Sequence, residues 1–260
     1  MPACVHETAL VGPRVGLGRD VEIGPFCRFE GDVKVGDGCR FATGVVVGSA
    51  PMDRDYAGEE TGVVIGRRNV FHEYTTVHRS TGKGTATVIG DDNYIMAYVH
   101  IAHNCRVGDG CTITNGAQLA GHVEIGDRAN IGGLVGIHQH CRVGGLAMVG
   151  AHSYVNRDIP PFVLAQGFPC RVRGLNETGL RRAGLPARAI AELRRAFRMI
   201  YRAGLNLTQA LDRIEQELVS GIEPGAGQEQ LETLLSFIGA SKRGIELRHS
   251  VVEDQEQEEG

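Results

Sequence analysis

Residues 113–137 read ITNGAQLAGHVEIGDRANIGGLVGI, and an aliphatic side chain stands at every sixth position of this stretch. The same period of six extends, with two interruptions, from Val5 to Val155. Neither an α-helix nor an alternating strand has a period of six, whereas the hexapeptide repeats of parallel β-helices do. The sequence therefore predicts a β-solenoid in which three hexads form one triangular coil around aliphatic side chains. Glycine follows many of these aliphatic residues, and we expect it to supply turns with positive φ.

The interruptions and the end of the period divide the chain. Two polar stretches rich in Gly, Asp and Thr, near residues 48–64 and 78–88, are predicted as loops that project from the solenoid. The period stops before Pro160 and Pro161, which cannot donate hydrogen bonds to a strand ladder, and apolar residues at helical spacing follow. The predicted domains are a β-helix at residues 1–160, a C-terminal α-helical region at residues 161–248 and a disordered acidic tail at residues 249–260.

Composition excludes several classes of protein. A hydrophobic content of 42% in 260 residues is too high for a disordered chain. The sequence contains neither the pattern of a signal peptide nor about 18 consecutive apolar residues, so we expect a cytoplasmic protein without a transmembrane segment. The seven cysteines include no CxxC pair, and five of them share one position of the hexad. We therefore interpret them as small buried side chains and predict no metal site.

Several histidines share one strip of the predicted solenoid. Residues that lie 18 apart in sequence stack on one line of a coil made of three hexads, which brings distant side chains together. His103, Gly121 and Gln139 are each 18 residues apart and should stack on one line of the strip. His122 and His140 should stack on the adjacent line, and His138 lies next to the first line on its other side. Solenoid surfaces tolerate single histidines, but this clustering favours a functional site. A metal site is disfavoured because no carboxylate shares the strip and His103 and His138 lie two coils apart.

A second signal is the charge of residues 167–205, which contain nine arginines and two glutamates although the whole chain has a net charge of −4. Such a basic segment indicates either an acidic partner or a phosphate-bearing ligand. The alternative is a solvated helix surface, since helices often carry exposed arginine. Nucleic acid is not expected as a partner, because no aromatic residues are interspersed with the arginines to stack on bases.

The chain resembles the acyl-[acyl-carrier-protein]–UDP-N-acetylglucosamine O-acyltransferases over nearly its whole length. The motifs that carry the resemblance are YAGE, VHR, HIAHNC, LAGHVEIGD, DIPPFVLAQG and GLN followed by GLRRAG. The resemblance implies a homotrimer of left-handed β-helices with active sites between subunits. It also implies transfer of a 3-hydroxyacyl group from acyl carrier protein to the 3-hydroxyl of UDP-N-acetylglucosamine, the first step of lipid A biosynthesis. No cofactor is expected beyond the acyl carrier protein co-substrate.

The same resemblance implies roles for individual residues. His103 is similar to the general base, which suits an imidazole near its working pKa, and the Gly121 backbone N–H is similar to an oxyanion donor. Asn104 stands where the best-known members have aspartate, and an amide can orient His103 but adds no charge. The implied substrate contacts are His100, His122, His138, Asn104 and Asp53 near the sugar, Gln139 and Asn176 on the nucleotide sugar, Arg182 on a phosphate, and Ala151 as the cap that sets acyl length.

Two other functions remain open from the sequence. The adjacent His and Asn also resemble the related N-acyltransferase that acts on a UDP-3-amino sugar, whose acceptor would need less help from a charged dyad. That enzyme has an additional N-terminal domain, whereas the hexads here begin at Val5. A non-catalytic β-helical scaffold is the third reading, and it predicts binding without turnover.

Overall fold

The computed structural model describes residues 1–219 and 227–247, so the acidic tail predicted at residues 249–260 lies outside the described residues. Three sheets of short parallel strands form the faces of a triangular solenoid, as the hexads predict. The first sheet contains β1 Cys4–Val5, β4 Glu22–Ile23, β7 Arg40–Phe41, β10 Val70–Phe71, β13 Tyr94–Ile95, β16 Thr112–Ile113, β19 Asn130–Ile131, β22 Met148–Val149, β24 Val163–Gln166 and β25 Arg171–Leu175.

The second sheet contains β2 Leu10–Val11, β5 Arg28–Phe29, β8 Val46–Ser49, β11 Thr76–His78, β14 His100–Ile101, β17 Gln118–Leu119, β20 Gly136–Ile137 and β23 Tyr154–Val155. The third sheet contains β3 Val15–Leu17, β6 Asp32–Val35, β9 Gly62–Ile65, β12 Ala86–Ile89, β15 Arg106–Val107, β18 Glu124–Ile125 and β21 Arg142–Val143. From β1 to β23, successive strands along the chain belong to successive sheets, so each circuit of the three sheets is one coil.

The register of the coils follows the sequence period. Ile95 lies beside Ile113 and Ile113 beside Ile131, which is the expected offset of 18 residues. Two non-repetitive segments lengthen this offset, one at residues 50–61 between β8 and β9 and one at residues 79–85 between β11 and β12. Both segments leave the solenoid at the corner between the second and third sheets, and this position matters for the site.

The interior of the solenoid is filled by the aliphatic hexad residues, which form one continuous buried core. The prediction for the cysteines is confirmed, since Cys27, Cys39, Cys105, Cys111 and Cys141 are buried and unpaired. Burial raises the pKa of the thiols of Cys105 and Cys111 to about 12, which keeps them protonated near neutral pH. These cysteines therefore act as packing groups.

The prediction that the glycine directly after an aliphatic hexad residue supplies the positive-φ turn is wrong for most of these glycines. Of the glycines that directly follow an aliphatic hexad residue in the described ranges, only Gly48 has a positive φ. In most turns the left-handed residue lies three positions after the aliphatic residue, as at Asn104, His122 and His140. The glycines instead allow neighbouring coils to approach each other. A Cβ on Gly36 would lie 2.5 Å from the carbonyl oxygen of Gly66, which is closer than real Cβ atoms come.

The chain beyond Pro161 differs in part from the expectation that the ladder ends at the prolines. β24 pairs in parallel with β22, and β25 then pairs antiparallel with β24, so the first sheet continues to Leu175. The chain stays packed on the preceding coil through the prolines, since Ile159 bridges to Val143 and both prolines are buried. The hexad period does not record this continuation. The helices that follow are α1 Glu177–Arg182, α2 Ala187–Tyr201, α3 Leu207–Ile214, a π-helical turn at Glu215–Val219, and α4 Gln228–Gly239.

The C-terminal helices pack into a second hydrophobic core, as their apolar spacing predicts. The buried face of α2 presents Ile190, Leu193 and Ile200 to this core, and Phe197 on the same face packs against the solenoid. α3 begins with a capping box between Asn206 and Gln209, which satisfies backbone N–H groups at its first turn.

Candidate active site

A cavity of about 500 Å³ lies on the outer face of the second sheet, next to the corner where the chain turns to the third sheet. It brings together five residues that the sequence predicts for the site: His100, His103, Gly121, His138 and Gln139. The strip arises because each of these residues occupies an outward-facing or corner position of a hexad in consecutive coils. The cavity is also lined by His78, Tyr154 and Met52, which the 18-residue stacking of the histidine strip does not identify.

Gly121 makes room for His103. A Cβ at Gly121 would lie 2.5 Å from both Cε1 and Nε2 of the His103 imidazole, so the ring rests directly over the glycine backbone. The Gly121 N–H donates no hydrogen bond to another residue in the described ranges, whereas the neighbouring His122 N–H donates to the His103 carbonyl oxygen. Gly121, whose backbone N–H is unused, therefore packs against the Nε2 edge of His103.

The side chain of Asn104 fixes the tautomer of His103. Asn104 Oδ1 accepts a hydrogen bond from the Thr81 N–H and Nδ2 donates to the Thr81 carbonyl oxygen, both at 2.9 Å, so the orientation of the amide is determined. The same Oδ1 lies 2.9 Å from His103 Nδ1. An amide oxygen only accepts, so Nδ1 carries the proton and Nε2 is left as the basic nitrogen.

A carboxylate from the first inserted segment supplies the charge that Asn104 lacks. Asp53 Oδ2 lies 3.7 Å from His103 Nδ1. The pKa of Asp53 is lowered, first by a hydrogen bond from the Asp55 backbone N–H, then by one with the Thr81 side chain and by the nearby imidazoles of His103 and His122. Asp53 is therefore ionised near neutral pH, and its negative charge faces the protonated edge of His103.

Three histidines near His103 have lowered pKa values. Burial, followed by the proximity of His78 and His103, lowers the pKa of His100 to about 4. Burial is also the main reason why the pKa of His78 and of His122 is lowered. His122 supports the ring of His103 edge-on at 5.3 Å between centroids and stacks on His140 at 4.5 Å. The cavity thus offers neutral imidazoles that can donate or accept hydrogen bonds.

Three predicted site residues lie elsewhere in the single chain. Asn176 caps α1, where its side chain accepts a hydrogen bond from the Gly179 N–H and donates one to the Leu146 carbonyl oxygen. Arg182 is exposed at the end of α1, and Ala151 is exposed at the corner between the first and second sheets. None of the three lines the cavity that contains His103.

The basic segment is partly neutralised within the chain. Arg194 and Arg181 both form ion pairs with Glu177, and Arg195 pairs with Glu192. Exposed pairs of this kind contribute little to stability, but they reduce the charge available to a partner.

In residues 1–219 and 227–247 no cluster of three His, Cys, Asp or Glu side chains could hold a metal ion. Within the same residues no helix is long and apolar enough to cross a membrane.

Comparisons with known proteins agree with the fold and the cavity. A family profile described as UDP-N-acetylglucosamine O-acyltransferase, domain 2, matches residues 158–246. A profile of bacterial transferase hexapeptide repeats matches residues 14–49 and 86–121. Stacked hexads that carry a histidine-lined cavity thus define a hexapeptide-repeat transferase.

Relatives narrow the class to one family. The acyl-[acyl-carrier-protein]–UDP-N-acetylglucosamine O-acyltransferase of Thiobacillus denitrificans is 42% identical over 262 residues, which cover 94% of this chain and 99% of the relative. The enzyme of the same name from Burkholderia orbicola is 46% identical over 199 residues, or 76% of this chain and 75% of the relative. The chain belongs to the acyl-[acyl-carrier-protein]–UDP-N-acetylglucosamine O-acyltransferase family.

Solved structures give the same result for the whole architecture. The UDP-N-acetylglucosamine acyltransferase of Campylobacter jejuni has 34% identity and a TM-score of 0.78, and the match covers 94% of this chain and 100% of that one. The enzyme of Bacteroides fragilis has 32% identity and a TM-score of 0.80, with 93% and 99% covered. The predicted left-handed parallel β-helix with a C-terminal helical region is confirmed.

Proposed function

We propose that this chain transfers an acyl group from the thioester of acyl carrier protein to the 3-hydroxyl of UDP-N-acetylglucosamine, the first step of lipid A biosynthesis. The observation that carries the proposal is His103, whose Nδ1 is held by Asn104 and whose Nε2 edge lies over Gly121 in the cavity. Family membership supports the same reaction. The acyl carrier protein thioester is the co-substrate, and the reaction as proposed uses no other cofactor.

In the proposed mechanism the neutral His103 removes the proton of the sugar hydroxyl as its oxygen attacks the thioester carbonyl carbon. The Gly121 N–H stabilises the negative charge that develops on the carbonyl oxygen. Collapse of the tetrahedral intermediate forms the ester and breaks the carbon–sulfur bond, and the imidazolium returns its proton to the departing thiolate. Asp53 stabilises the imidazolium by charge, and Asn104 holds the ring in place.

We also propose that the active unit is a homotrimer. Large apolar side chains are exposed along the corner between the first and second sheets, among them Phe26, Tyr74, Tyr98 and Leu134, and the rings of Tyr74 and Tyr98 stack at 5.3 Å. Exposed apolar surface of this extent is typical of an interface. This corner column ends near Ala151, so a neighbouring copy seated along it would carry its own Ala151 toward the cavity that contains His103, where Ala151 would cap the acyl groove.

The same arrangement would complete the acceptor site. Asn176 caps α1 and Arg182 is its last residue, and both lie outside the cavity of their own chain. We therefore propose that they contact the nucleotide and a phosphate at a neighbour's cavity. His100, His138 and Gln139 line the cavity and would position the sugar, with His122 behind His103. We propose the cytoplasm as the location, since the proposed acyl donor is carried on acyl carrier protein.

The test is to incubate the purified protein with acyl carrier protein thioesters and UDP-N-acetylglucosamine, and in parallel with its 3-amino analogue. Mass spectrometry should detect the 3-O-acyl product, and the His103→Ala variant should lose turnover by about 10² to 10⁴. His6→Ala is the matched control, since His6 is exposed in the first coil and does not line the cavity. Product with the amine alone would contradict the proposed acceptor, and binding without turnover would favour a scaffold.

A further inference from the structure

The two inserted segments, residues 50–61 and 79–85, each supply part of the surroundings of His103. The first segment brings Asp53 to within 3.7 Å of the imidazole. The second segment binds the amide of Asn104 through its own backbone. Neither segment follows the hexad period, so contacts between the two segments decide where these groups lie relative to His103.

The side chain of Glu59 joins the two segments. Its Oε1 accepts a hydrogen bond from the Gly82 N–H of the second segment at 2.8 Å. Its Oε2 accepts one from the Ala57 N–H of its own segment at 2.9 Å. The bond from Gly82 is the main reason why the pKa of Glu59 is lowered, so this side chain is a carboxylate near neutral pH.

The two bonds of Glu59 require two acceptor atoms. Each N–H group faces a separate oxygen, and an ionised carboxylate accepts at both. The amide of glutamine has one oxygen and one NH₂ group, so it would turn a donor toward one of the two N–H groups. Glu59→Gln therefore breaks one of these bonds with almost no change in the size of the side chain.

The backbone of Glu59 is itself tied to the solenoid. The Tyr56 hydroxyl donates a hydrogen bond to the Glu59 carbonyl oxygen at 3.2 Å and accepts one from Arg79 Nη2 at 2.9 Å. Arg79 also donates from Nη1 to the carbonyl oxygen of Gly48 in β8. Glu59 thus starts from a fixed position, and its carboxylate holds the second segment against the first.

The contacts of Glu59 lead to both groups that face Nδ1 of His103. The N–H that Oε1 of Glu59 binds in the second segment belongs to the residue directly after Thr81. The Thr81 backbone binds the amide of Asn104, whose Oδ1 lies 2.9 Å from His103 Nδ1. Asp53 lies near enough to Glu59 for its charge to oppose the lowering of the Glu59 pKa.

We propose that Glu59 is a positioning residue for the acyl transfer. It holds the second inserted segment against the first, so that Asn104 orients His103 while the charge of Asp53 stays beside the same imidazole. Glu59 does not line the cavity and acts through these two residues. This inference rests on the proposed function, because the effect of Glu59 is exerted on the base of that reaction.

The test is Glu59→Gln, with Glu60→Gln as the matched control. Glu60 is the next residue and has the same charge, its side chain is exposed, and its carbonyl oxygen would still accept from the Gly84 N–H. In Glu59→Gln we expect kcat to fall about tenfold, because a displaced base loses part of its effect. The acid limb of the kcat/KM profile should move to lower pH, because the charge of Asp53 is no longer held beside His103. Glu60→Gln should match the wild type in both respects.

A double variant separates the position of Asp53 from the charge of Glu59. If Glu59 acts by placing Asp53, Asp53→Asn/Glu59→Gln should have the same acid limb as Asp53→Asn alone. A further shift in the double variant would mean that the charge of Glu59 acts directly on His103, which would overturn the inference. The other titratable groups that face His103 are the same in every variant, namely His78, His100 and His122.

Two more results would contradict the inference. Wild-type kcat in Glu59→Gln would show that the reaction does not need this contact, and lower kcat with an unshifted acid limb would leave Glu59 a structural role only. If the wild-type protein shows no turnover with any donor, the proposed function fails, and amide hydrogen exchange still tests the contact. The Thr81 N–H should exchange about tenfold faster in Glu59→Gln than in Glu60→Gln, and equal exchange would refute it.

Discussion

At the scale of single residues, the missing side chain of Gly121 allows His103 to occupy its place. Gly121→Ala would put a Cβ within 2.5 Å of the imidazole, and because the obstructing atoms belong to a side chain, the ring can rotate away while the coil persists. We expect kcat to fall by about 10² or more, since a misplaced base loses most of its effect, with an unchanged Tm. Gly16→Ala is the control, because its nearest contact would be 4.0 Å away. Wild-type kcat in Gly121→Ala would contradict this geometry.

A variant of Asp53 can distinguish an electrostatic effect on His103 from a structural role of Asp53 in the inserted segment. The pKa of Asp53 is lowered, so its charge persists throughout an assay near neutral pH. The other ionisable groups that face His103 are His78, His100 and His122, and their lowered pKa values keep them neutral at that pH. Asp53→Asn removes the charge that favours the imidazolium. We expect kcat to fall about tenfold and the acid limb of the kcat/KM profile to move to lower pH.

The control for Asp53 is Asp55→Asn, which neutralises an exposed carboxylate two residues away in the same segment. It should leave both kcat and the pH profile as in the wild type. An unshifted acid limb in Asp53→Asn, even with lower activity, would mean that Asp53 contacts substrate or holds the segment and does not act through His103.

The positions of these residues were predictable from sequence to different degrees. The stacking of His103, Gly121 and Gln139 follows from the hexad, because the position within the repeat fixes the level and direction of a side chain. The approach of Asp53 to His103 does not, since an inserted segment has no repeat to fix its path. Its only sequence signal is the motif that carries the family resemblance.

At the scale of elements, Asn104 connects the coil to the inserted segment at residues 79–85. Both polar atoms of its amide bond the backbone of Thr81, and the Asn104 N–H donates to Thr87 Oγ1. In Asn104→Asp a carboxylate oxygen would face the Thr81 carbonyl oxygen. We expect a loss of about 1–3 kcal/mol in the free energy of unfolding, measured by urea at fixed protein concentration.

Asn115→Asp is the control for this change, because Asn115 occupies an exposed corner position and its side chain forms no hydrogen bond with the described residues. A stability change in Asn104→Asp no larger than in Asn115→Asp would show that the amide does not hold the segment.

Most strands and helices were predictable from the sequence, whereas β24 and β25 were missed because strands outside the repeat leave no period to detect.

At the scale of the whole molecule, the exposed apolar corner predicts how copies associate. Tyr98 is 61% exposed and stacks on Tyr74, so Tyr98→Asp would place a charge within the proposed interface. We expect light scattering to show a trimer for the wild type and for Tyr98→Phe, and a monomer for Tyr98→Asp, which should also lose activity. A trimeric Tyr98→Asp would exclude this corner as the interface. Sequence periodicity cannot supply such contacts, because it describes one chain.

The close approach of neighbouring coils at glycine limits where insertions and deletions can be accepted in this chain. Residues 50–61 and 79–85 leave the solenoid and return at the same level, so their length can vary without moving any coil. Within the hexads, loss of a single residue would shift the hexad register of every later residue. Every later side chain would rotate by one step, bulky groups would meet the backbone where only glycine fits, and the histidine strip would be dispersed. Length variation among descendants of this chain should therefore accumulate in those two segments and spare the coils.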